Sequence, residues 1–192
     1  MFKKKLKIKL FQVITGLVLL IIMVVISNAF VTKPLQAYRF SQPATVLKIV
    51  DGDTIDVRMA RCRLPLNGNP QQCRIQLACI DTPEADQTPF FEQAKNRLNA
   101  LIPPGTAISV RDTGRNFQER MVGEIFTRNQ FINLQLVREG QAVISCQNLN
   151  NCTRAYRNAL LNAEATAKRE GLGVWNPRQP WTRIQNRQPC SS

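Results

Sequence analysis

Residues 44–59 read ATVLKIVDGDTIDVRM, and this stretch decides the fold. Two short runs rich in β-branched residues, 44–50 and 54–59, flank the tripeptide Asp51-Gly52-Asp53. Such runs on either side of an Asp- and Gly-containing turn are typical of a β-hairpin. We therefore predict two strands here, joined by a turn that carries two carboxylates.

The rest of the chain predicts a small mixed domain. Three further strands are expected at residues 73–80, 106–111 and 120–127. Apolar residues at helical spacing predict helices at residues 90–102, 132–139 and 153–170, each followed by Pro or Gly. Five short strands with interspersed helices favour an α+β fold, a small barrel with helical additions.

The N-terminal residues have the pattern of an export segment. Residues 1–9 carry five lysines and no acidic residue, and an apolar run follows at 10–26. That order is typical of signal peptides, although 17 residues is long for a signal-peptide core and short for a membrane-spanning helix. Two interpretations stay open: a signal peptide cleaved after Ala29, giving a secreted protein, or a membrane tether that holds the domain outside the cytoplasm.

The 192 residues suffice for one domain with appendages. After the export segment at 1–29 we expect a linker at 30–42, the folded domain at 43–175 and a tail at 176–192. The tail is basic and rich in Pro and Gln, without apolar periodicity, which predicts a loosely held segment.

Charge and composition restrict the chemistry. Lys and Arg number 26 against 13 acidic residues, and beyond residue 29 the balance is still 21 to 13, with 17 arginines. Arginine makes bidentate contacts with phosphate, so the excess indicates a phosphate polyanion or an anionic membrane surface as partner. The chain has no histidine, which excludes Ser-His-Asp and Cys-His nucleophiles and His-ligated zinc. Catalysis is left to carboxylates, Arg, Lys, Tyr or a hard metal ion.

The cysteines are even in number, at Cys62, Cys73, Cys79, Cys146, Cys152 and Cys190. In an exported chain they are free to form disulfides, and six cysteines allow 15 connectivities. Two local pairs are favoured because each brackets a loop: Cys62 with Cys73, and Cys146 with Cys152. Cys79 is expected to fill the core of a strand. Zinc is disfavoured because no CxxC spacing occurs.

Five motifs occur in a fixed order: VDGDTI at 50–55, QLACIDTPE at 76–84, RMVGEIF at 120–126, LVREGQA at 136–142 and EATAKREGLGVW at 164–175. Alone, the first two would be an ordinary turn and a helix start. Together, across residues 44–175, they resemble the staphylococcal nuclease (thermonuclease) family. The resemblance implies an OB-fold barrel of five strands with three helices, and Ca²⁺-dependent hydrolysis of phosphodiester bonds in DNA and RNA. It implies no small-molecule cofactor.

The resemblance also implies a role for each matching position. Asp53 and Asp81 would bind Ca²⁺ through carboxylate oxygens, and Thr82 through its backbone carbonyl. Glu84 would act as general base or orient the attacking water. Arg120 would hold the scissile phosphate and its transition-state charge.

The same residue types suit this chemistry without appeal to the family. A phosphodiester anion repels hydroxide, and a hard divalent ion with carboxylate and carbonyl ligands offsets that repulsion. A guanidinium stabilises charge that grows in the transition state, and a nearby carboxylate can accept the proton of water. The resemblance further implies that Asp51, which matches the first acid of the family's turn, supports the metal site.

The chain departs from the family at one phosphate-binding position. Five residues before Asp81 the family normally has arginine, and here the residue is Gln76. Arg74 lies two residues earlier on the same strand face, and we expect it to substitute poorly. The Gln76→Arg variant is accordingly expected to cleave faster. With only two tyrosines in the chain, base stacking is expected to rely on Phe117 or other aromatic residues, or to be weak.

A longer connection between the two acidic motifs is a second departure. We expect Cys62 and Cys73 to close it. Arg58, Arg61, Arg63 and Arg74 gather around it, either as an added phosphate-binding edge or as a solvated loop.

Two functions follow as hypotheses. The first is an exported or membrane-tethered Ca²⁺-dependent endonuclease acting on single-stranded DNA or RNA, with a possible tether at residues 10–26. The second is an OB-fold nucleic-acid-binding module with weak or no hydrolysis, which the glutamine at position 76 motivates.

Overall fold

The computed structural model describes residues 41–146, 152–179 and 181. These residues belong to one compact unit that begins at Ser41. The predicted export or anchor segment, the linker up to residue 40 and most of the tail lie outside the described residues. Among the residues described, no helix is long and apolar enough to cross a membrane.

The regular elements alternate between strands and helices along the chain. The strands are β1 Gln42–Ile49, β2 Thr54–Met59, β3 Pro65–Leu66, β4 Asn69–Leu77, β5 Ile80–Asp81, β6 Ala107–Phe117, β7 Arg120–Phe126 and β8 Val143–Ile144. The α-helices are α1 Phe90–Leu101, α2 Ile132–Arg138 and α3 Arg154–Glu170, and a 3₁₀ turn follows at Gly173–Trp175.

Five of the strands close into a barrel. Strand β1 pairs antiparallel with β2 and β6, β6 pairs antiparallel with β7, and β7 pairs parallel with β4. The antiparallel pairing of β2 with β4 completes the circle, and β3 is a short addition beside β4. The predicted five-stranded OB-fold barrel with three helices is confirmed.

The barrel core is built from the inward residues of these strands. Ile55, Val57, Ile75 and Ile125 are fully buried, as β-branched residues on a closed sheet favour. Helix α1 turns Phe90, Ala94 and Leu98 inward, the face that the helical spacing predicts.

A buried asparagine attaches helix α2 to the barrel. The Asn133 side chain is fully buried; its Nδ2 donates to the carbonyl oxygen of Ala78 at 3.0 Å, and its Oδ1 accepts from the Ile125 amide at 3.0 Å. These bonds satisfy backbone groups that would otherwise be buried without partners. They fix the loop after β4, which leads directly into the second acidic motif.

Two of the predicted strands, at 73–80 and 106–111, differ from the structure by more than two residues at one end or both. The predicted strand at 73–80 is instead β4, which ends at Leu77, and β5, which pairs with β8. Cys79 has a φ of 69°, which breaks the strand between them. Strand β6 runs to Phe117 rather than 111, because its polar end pairs with β7 on the surface and carries no apolar alternation.

The disulfides confirm one predicted pair and correct the other. Cys62 and Cys73 are bonded. Cys152 is bonded to Cys79 rather than to Cys146, and Cys146 is itself disulfide-bonded. The pairing of β5 with β8, continued by the Ser145 amide donating to the Cys79 carbonyl at 2.9 Å, holds Cys79 against the segment that leads toward Cys152. Cys79 is therefore a cross-link and not simply core filling.

One residue of the predicted tail is well packed. Trp181 is buried against Phe90, Val143 and Val174. The expectation of a loosely held tail is wrong at this position, because a single indole supplies a large apolar contact without any periodicity in the sequence.

Candidate active site

A pocket of about 410 Å³ lies at one end of the barrel. It is lined by eight of the residues that the sequence analysis selected: Asp51, Asp53, Gln76, Asp81, Thr82, Glu84, Phe117 and Arg120. The structure therefore brings the two acidic motifs and the arginine together.

The turn between β1 and β2 determines where its carboxylates lie. The Asp53 amide donates to Asp51 Oδ1 at 3.0 Å, which closes the turn. Gly52 packs so closely that a Cβ there would come within 2.8 Å of Ala94 Cβ and of Thr82 Oγ1. Because only glycine permits that approach, the first motif is pressed against the second, and Asp53 becomes buried.

Asp53 is held in an electrostatically unfavourable position. Burial raises the pKa of Asp53 well above its usual value, and the negative charges of Asp51 and Asp81 raise it further. The Thr54 hydroxyl acts in the opposite sense by donating to Asp53 Oδ1 at 3.1 Å. Three carboxylates that repel one another in a single pocket are a favourable environment for a cation.

The donor set fits a hard divalent ion. Asp53 and Asp81 have carboxylate oxygens, and Thr82, which is buried and lines the same pocket, has a backbone carbonyl oxygen, a ligand type that Ca²⁺ accepts. Within residues 41–146, 152–179 and 181, no three acidic or cysteine side chains converge closely enough to form a metal site by themselves. Water and substrate oxygens would therefore complete the coordination of an ion bound here.

The second motif lies on a loop that several contacts restrain. Asp81 pairs in register with Val143 of β8, and the Cys79–Cys152 disulfide anchors the chain just before it. Beyond Thr82, the Glu84 amide donates to Gln87 Oε1 at 2.7 Å. Glu84 is exposed at the pocket, where water can reach its carboxylate.

Arg120 donates hydrogen bonds to two side chains of the barrel strands. Its Nη1 donates to Gln76 Oε1 at 2.8 Å and to Thr54 Oγ1 at 3.3 Å. Thr54 is fully buried and was not selected from the sequence. The signal that would have found it is strand register, since Thr54 and Gln76 are direct partners on β2 and β4.

Phe117 is the last residue of β6, and Arg120 is the first residue of β7. The two residues are register partners on either side of the turn formed by Gln118 and Glu119, whose φ values of 45° and 62° suit a two-residue hairpin. Side chains of such partners lie on the same face of the sheet. Phe117 is 44% exposed, so its ring is accessible to a ligand in the pocket.

Arg74 lies outside the pocket and is bound to a neighbouring strand. Its Nε and Nη2 donate to the two carboxylate oxygens of Asp56 at 2.7 and 3.0 Å, and Arg74 does not line the pocket. The reason is register, because Asp56 lies directly opposite Arg74 on β2 and binds its guanidinium. That Arg74 substitutes poorly for the family arginine stays a prediction, and its contact with Asp56 supplies a physical reason for it.

The arginines around the first disulfide differ in their contacts. Arg63 binds Asp112 with two hydrogen bonds of 2.9 and 3.0 Å and also contacts Asn116, so it joins the loop to β6. Arg58 and Arg61 are exposed, and neither lines the pocket. Of the predicted basic edge, Arg63 is a structural contact rather than an open phosphate ligand.

Comparison with known proteins agrees with this geometry. The sequence model described as "Staphylococcal nuclease homologue" matches residues 74–177. An "Uncharacterized endonuclease" of Haemophilus influenzae is 29% identical over 143 residues, covering 72% of this chain and 71% of that protein. A "Micrococcal nuclease" of Shigella flexneri is 30% identical over 148 residues, covering 71% of this chain and 76% of that protein. The chain thus belongs to the staphylococcal nuclease family and carries its nuclease domain, a phosphodiester hydrolase.

Proposed function

We propose that this protein is a Ca²⁺-dependent endonuclease that hydrolyses phosphodiester bonds of single-stranded nucleic acid. One observation carries the proposal: the carboxylates of Asp53, Asp81 and Glu84 line the same pocket as the guanidinium of Arg120. A nucleic-acid-binding module needs cations and aromatic rings, but it does not need three acids facing a phosphate. A hydrolytic site needs such acids in addition, to bind a metal ion and to accept a proton from water.

Asp53, Asp81 and the Thr82 carbonyl would hold the calcium ion. When bound, the ion would neutralise phosphate charge and polarise the phosphorus toward attack. Two carboxylate ligands at an incomplete site imply weak binding, with a Kd on the order of 10⁻⁴–10⁻³ M. Asp51 would support the site by fixing the Asp53 backbone through their 3.0 Å hydrogen bond.

Glu84 and Arg120 would act on the reacting atoms. Glu84 would orient a water molecule and accept its proton as the water oxygen bonds to phosphorus. The bond from phosphorus to the leaving sugar oxygen breaks, and that oxygen takes a proton from solvent. Arg120 would donate to the non-bridging oxygens, where negative charge grows. Loss of such a donor typically costs about 3–4 kcal/mol of activation free energy.

The preference for single strands rests on Phe117. Its half-exposed ring is the register partner of Arg120, so a base next to the bound phosphate could stack on it. A base paired in a duplex is not free to do so. The net charge of +13 would attract any polynucleotide, and the ring selects unstacked ones.

We also propose that the domain acts outside the cytoplasm. The Cys62–Cys73 and Cys79–Cys152 bonds and the disulfide at Cys146 support this, since such bonds persist in oxidising compartments. Cell fractionation tests this proposal: antibody against the protein is expected to detect it in the medium or on the side of the membrane that faces away from the cytoplasm. Antigen confined to the cytoplasm, with reduced thiols, would contradict it.

A binding module with little hydrolysis is the second candidate, favoured by the single observation of Gln76 at a position where the family has arginine. The full-length protein, with its disulfides intact, is mixed with denatured DNA in Ca²⁺ or in EDTA. We expect cleavage in Ca²⁺ only, lost in Glu84→Gln and kept in Glu92→Gln, a matched change at an exposed glutamate of α1. Binding without cleavage in the unmodified protein would support the module instead.

A further inference from the structure

The pocket contains a chain of hydrogen bonds that the proposed chemistry does not use. Thr54 Oγ1 lies 3.1 Å from Asp53 Oδ1 and 3.1 Å from Gln76 Oε1. Arg120 Nη1 donates to both Gln76 and Thr54. Thr54 has one hydroxyl proton, which it donates to Asp53, and its oxygen accepts from Arg120. Thr54 therefore links a metal-ligand candidate to the phosphate-binding candidate, and Gln76 Oε1 is a second acceptor for Arg120.

The chemistry of these groups determines which atoms can face one another. A guanidinium has donors only, so the Gln76 amide must turn its oxygen toward Arg120. An arginine at position 76 could not accept this bond. The glutamine is thus more than a missing cation, because it supplies an acceptor at the point where Nη1 needs one.

The two contacts restrict the orientation of Arg120. A free arginine side chain samples many rotamers, with about 2 kcal/mol of rotamer entropy. In the part of the chain that the structure describes, the hydrogen bonds of this guanidinium are made by Nη1. Its Nε and Nη2 edge is then left to bind a phosphate in the pocket.

We propose that Gln76 and Thr54 are positioning residues that orient Arg120 toward the scissile phosphate. This inference rests on the proposed function, in which Arg120 binds phosphate. In this chain one cation held by two polar side chains would serve where the family uses two cations. Thr54 would in addition couple the Asp53 end of the pocket to the Arg120 end.

The first test is Gln76→Met, which keeps the length of the side chain and removes the acceptor. On a short single-stranded oligonucleotide in saturating Ca²⁺, kcat is expected to fall about 10-fold, which corresponds to about 1.4 kcal/mol, while KM changes less than about 3-fold. Gln72→Met, on the same strand and outside the pocket, is the matched control. An unchanged kcat in Gln76→Met would overturn the proposal.

A double-mutant cycle shows whether Gln76 acts through Arg120. In the Arg120→Ala background, Gln76→Met is expected to have no further effect on kcat. A full additional 10-fold loss in that background would mean that Gln76 acts independently, and the proposal would fail.

Thr54 is tested by a pair of substitutions. Thr54→Val keeps the shape and removes the hydroxyl, so kcat is expected to fall about 5-fold. Thr54→Ser restores the hydroxyl and is expected to recover most of that loss. A kcat in Thr54→Val equal to that of the unmodified protein, with or without a loss in Thr54→Ser, would show that the hydroxyl is not needed and would contradict the proposal.

The Gln76→Arg variant separates this proposal from the idea of a missing cation. If Gln76 positions Arg120, Gln76→Arg lowers kcat, because the acceptor is lost and two guanidinium groups are brought together. A rise in kcat, as the sequence alone predicts, would overturn the positioning role.

A spectroscopic measurement keeps the positioning role testable apart from activity. ¹⁵N NMR of the arginine side chains is expected to show slowed rotation of the Arg120 guanidinium in the unmodified protein and free rotation in Gln76→Met. If the unmodified protein cleaves no nucleic acid, the proposed function fails, but the NMR measurement still tests whether Gln76 orients Arg120. Free rotation in both proteins would reject it.

Discussion

Cys79 and Cys152 form a disulfide that ties the loop before Asp81 to the residues just before helix α3. The bond spans 73 residues of sequence, whereas the Cys62–Cys73 bond spans 11. Cys79 also lines the pocket. The longer cross-link therefore restrains both the overall fold and one wall of the candidate site.

Loss of that disulfide should lower stability and activity together. Constraint of the unfolded chain predicts that Cys79→Ser with Cys152→Ser costs about 4 kcal/mol, and that Cys62→Ser with Cys73→Ser costs about 3 kcal/mol. Urea unfolding measures both. Only the first pair should also raise the Ca²⁺ concentration needed for half-maximal cleavage; an equal rise in the second would show that the loop is not held by its own disulfide.

Replacement of Asp53 should raise the stability of the protein and remove its activity. Because the Asp53 carboxylate is buried near Asp51 and Asp81, Asp53→Asn is expected to stabilise the metal-free protein by roughly 1 kcal/mol while abolishing cleavage. Differential scanning calorimetry checks the first effect.

The same variant should lose its response to calcium. If the proposed calcium site has a Kd near 1 mM, 10 mM Ca²⁺ is expected to stabilise the unmodified protein by about 1.4 kcal/mol. Asp53→Asn should gain almost nothing from the ion. A calcium-dependent shift of similar size in both proteins would place the ion elsewhere.

Phe117 should affect substrate binding more than chemistry. Stacking contributes about 1–3 kcal/mol per base, so Phe117→Ala is expected to raise KM for single-stranded DNA at least about 5-fold with little change in kcat. The side chain is 44% exposed, and its removal should leave the unfolding temperature nearly unchanged. Steady-state kinetics on single- and double-stranded substrates tests this. If the unmodified protein and Phe117→Ala have the same KM for single-stranded DNA, the stacking role is refuted.

An ion pair away from the pocket should give the fold a measurable pH dependence. The Arg97 guanidinium, bonded to Glu139, holds the pKa of Glu139 below its usual value. A lowered folded pKa contributes stability above the unfolded pKa, and that stability is lost as pH falls through the folded value.

Both partners are partly exposed, so the contribution is under about 1 kcal/mol. The unfolding temperature of Glu139→Gln should lie below that of the unmodified protein at pH 7, and the difference should disappear near pH 3. If the unfolding temperature is lowered by the same amount at pH 7 and at pH 3, the effect is due to packing and not to charge.

The barrel was largely predictable because its strands carry local signals. The turn at Asp51-Gly52-Asp53 and the β-branched run of β2 gave the hairpin, and glycine or proline marked each helix end. The polar half of β6 was missed since its pairing with β7 depends on tertiary contacts that leave no apolar pattern.

Contacts within the pocket required strand register, which sequence spacing does not supply. The alignment of β2 with β4 places Asp56 opposite Arg74 and Thr54 opposite Gln76. From the sequence, Arg74 and Gln76 differ only by two positions on one face. In the structure one is neutralised by an ion pair and the other binds Arg120.

The most direct test of the account is the rate of single-stranded DNA cleavage as a function of Ca²⁺, for the unmodified protein and for Arg120→Ala. We predict a rate that saturates with Ca²⁺ at millimolar concentrations, vanishes in EDTA and falls about 100- to 1,000-fold in Arg120→Ala. Cleavage that persists in EDTA, or that is equally fast without the Arg120 guanidinium, would contradict it.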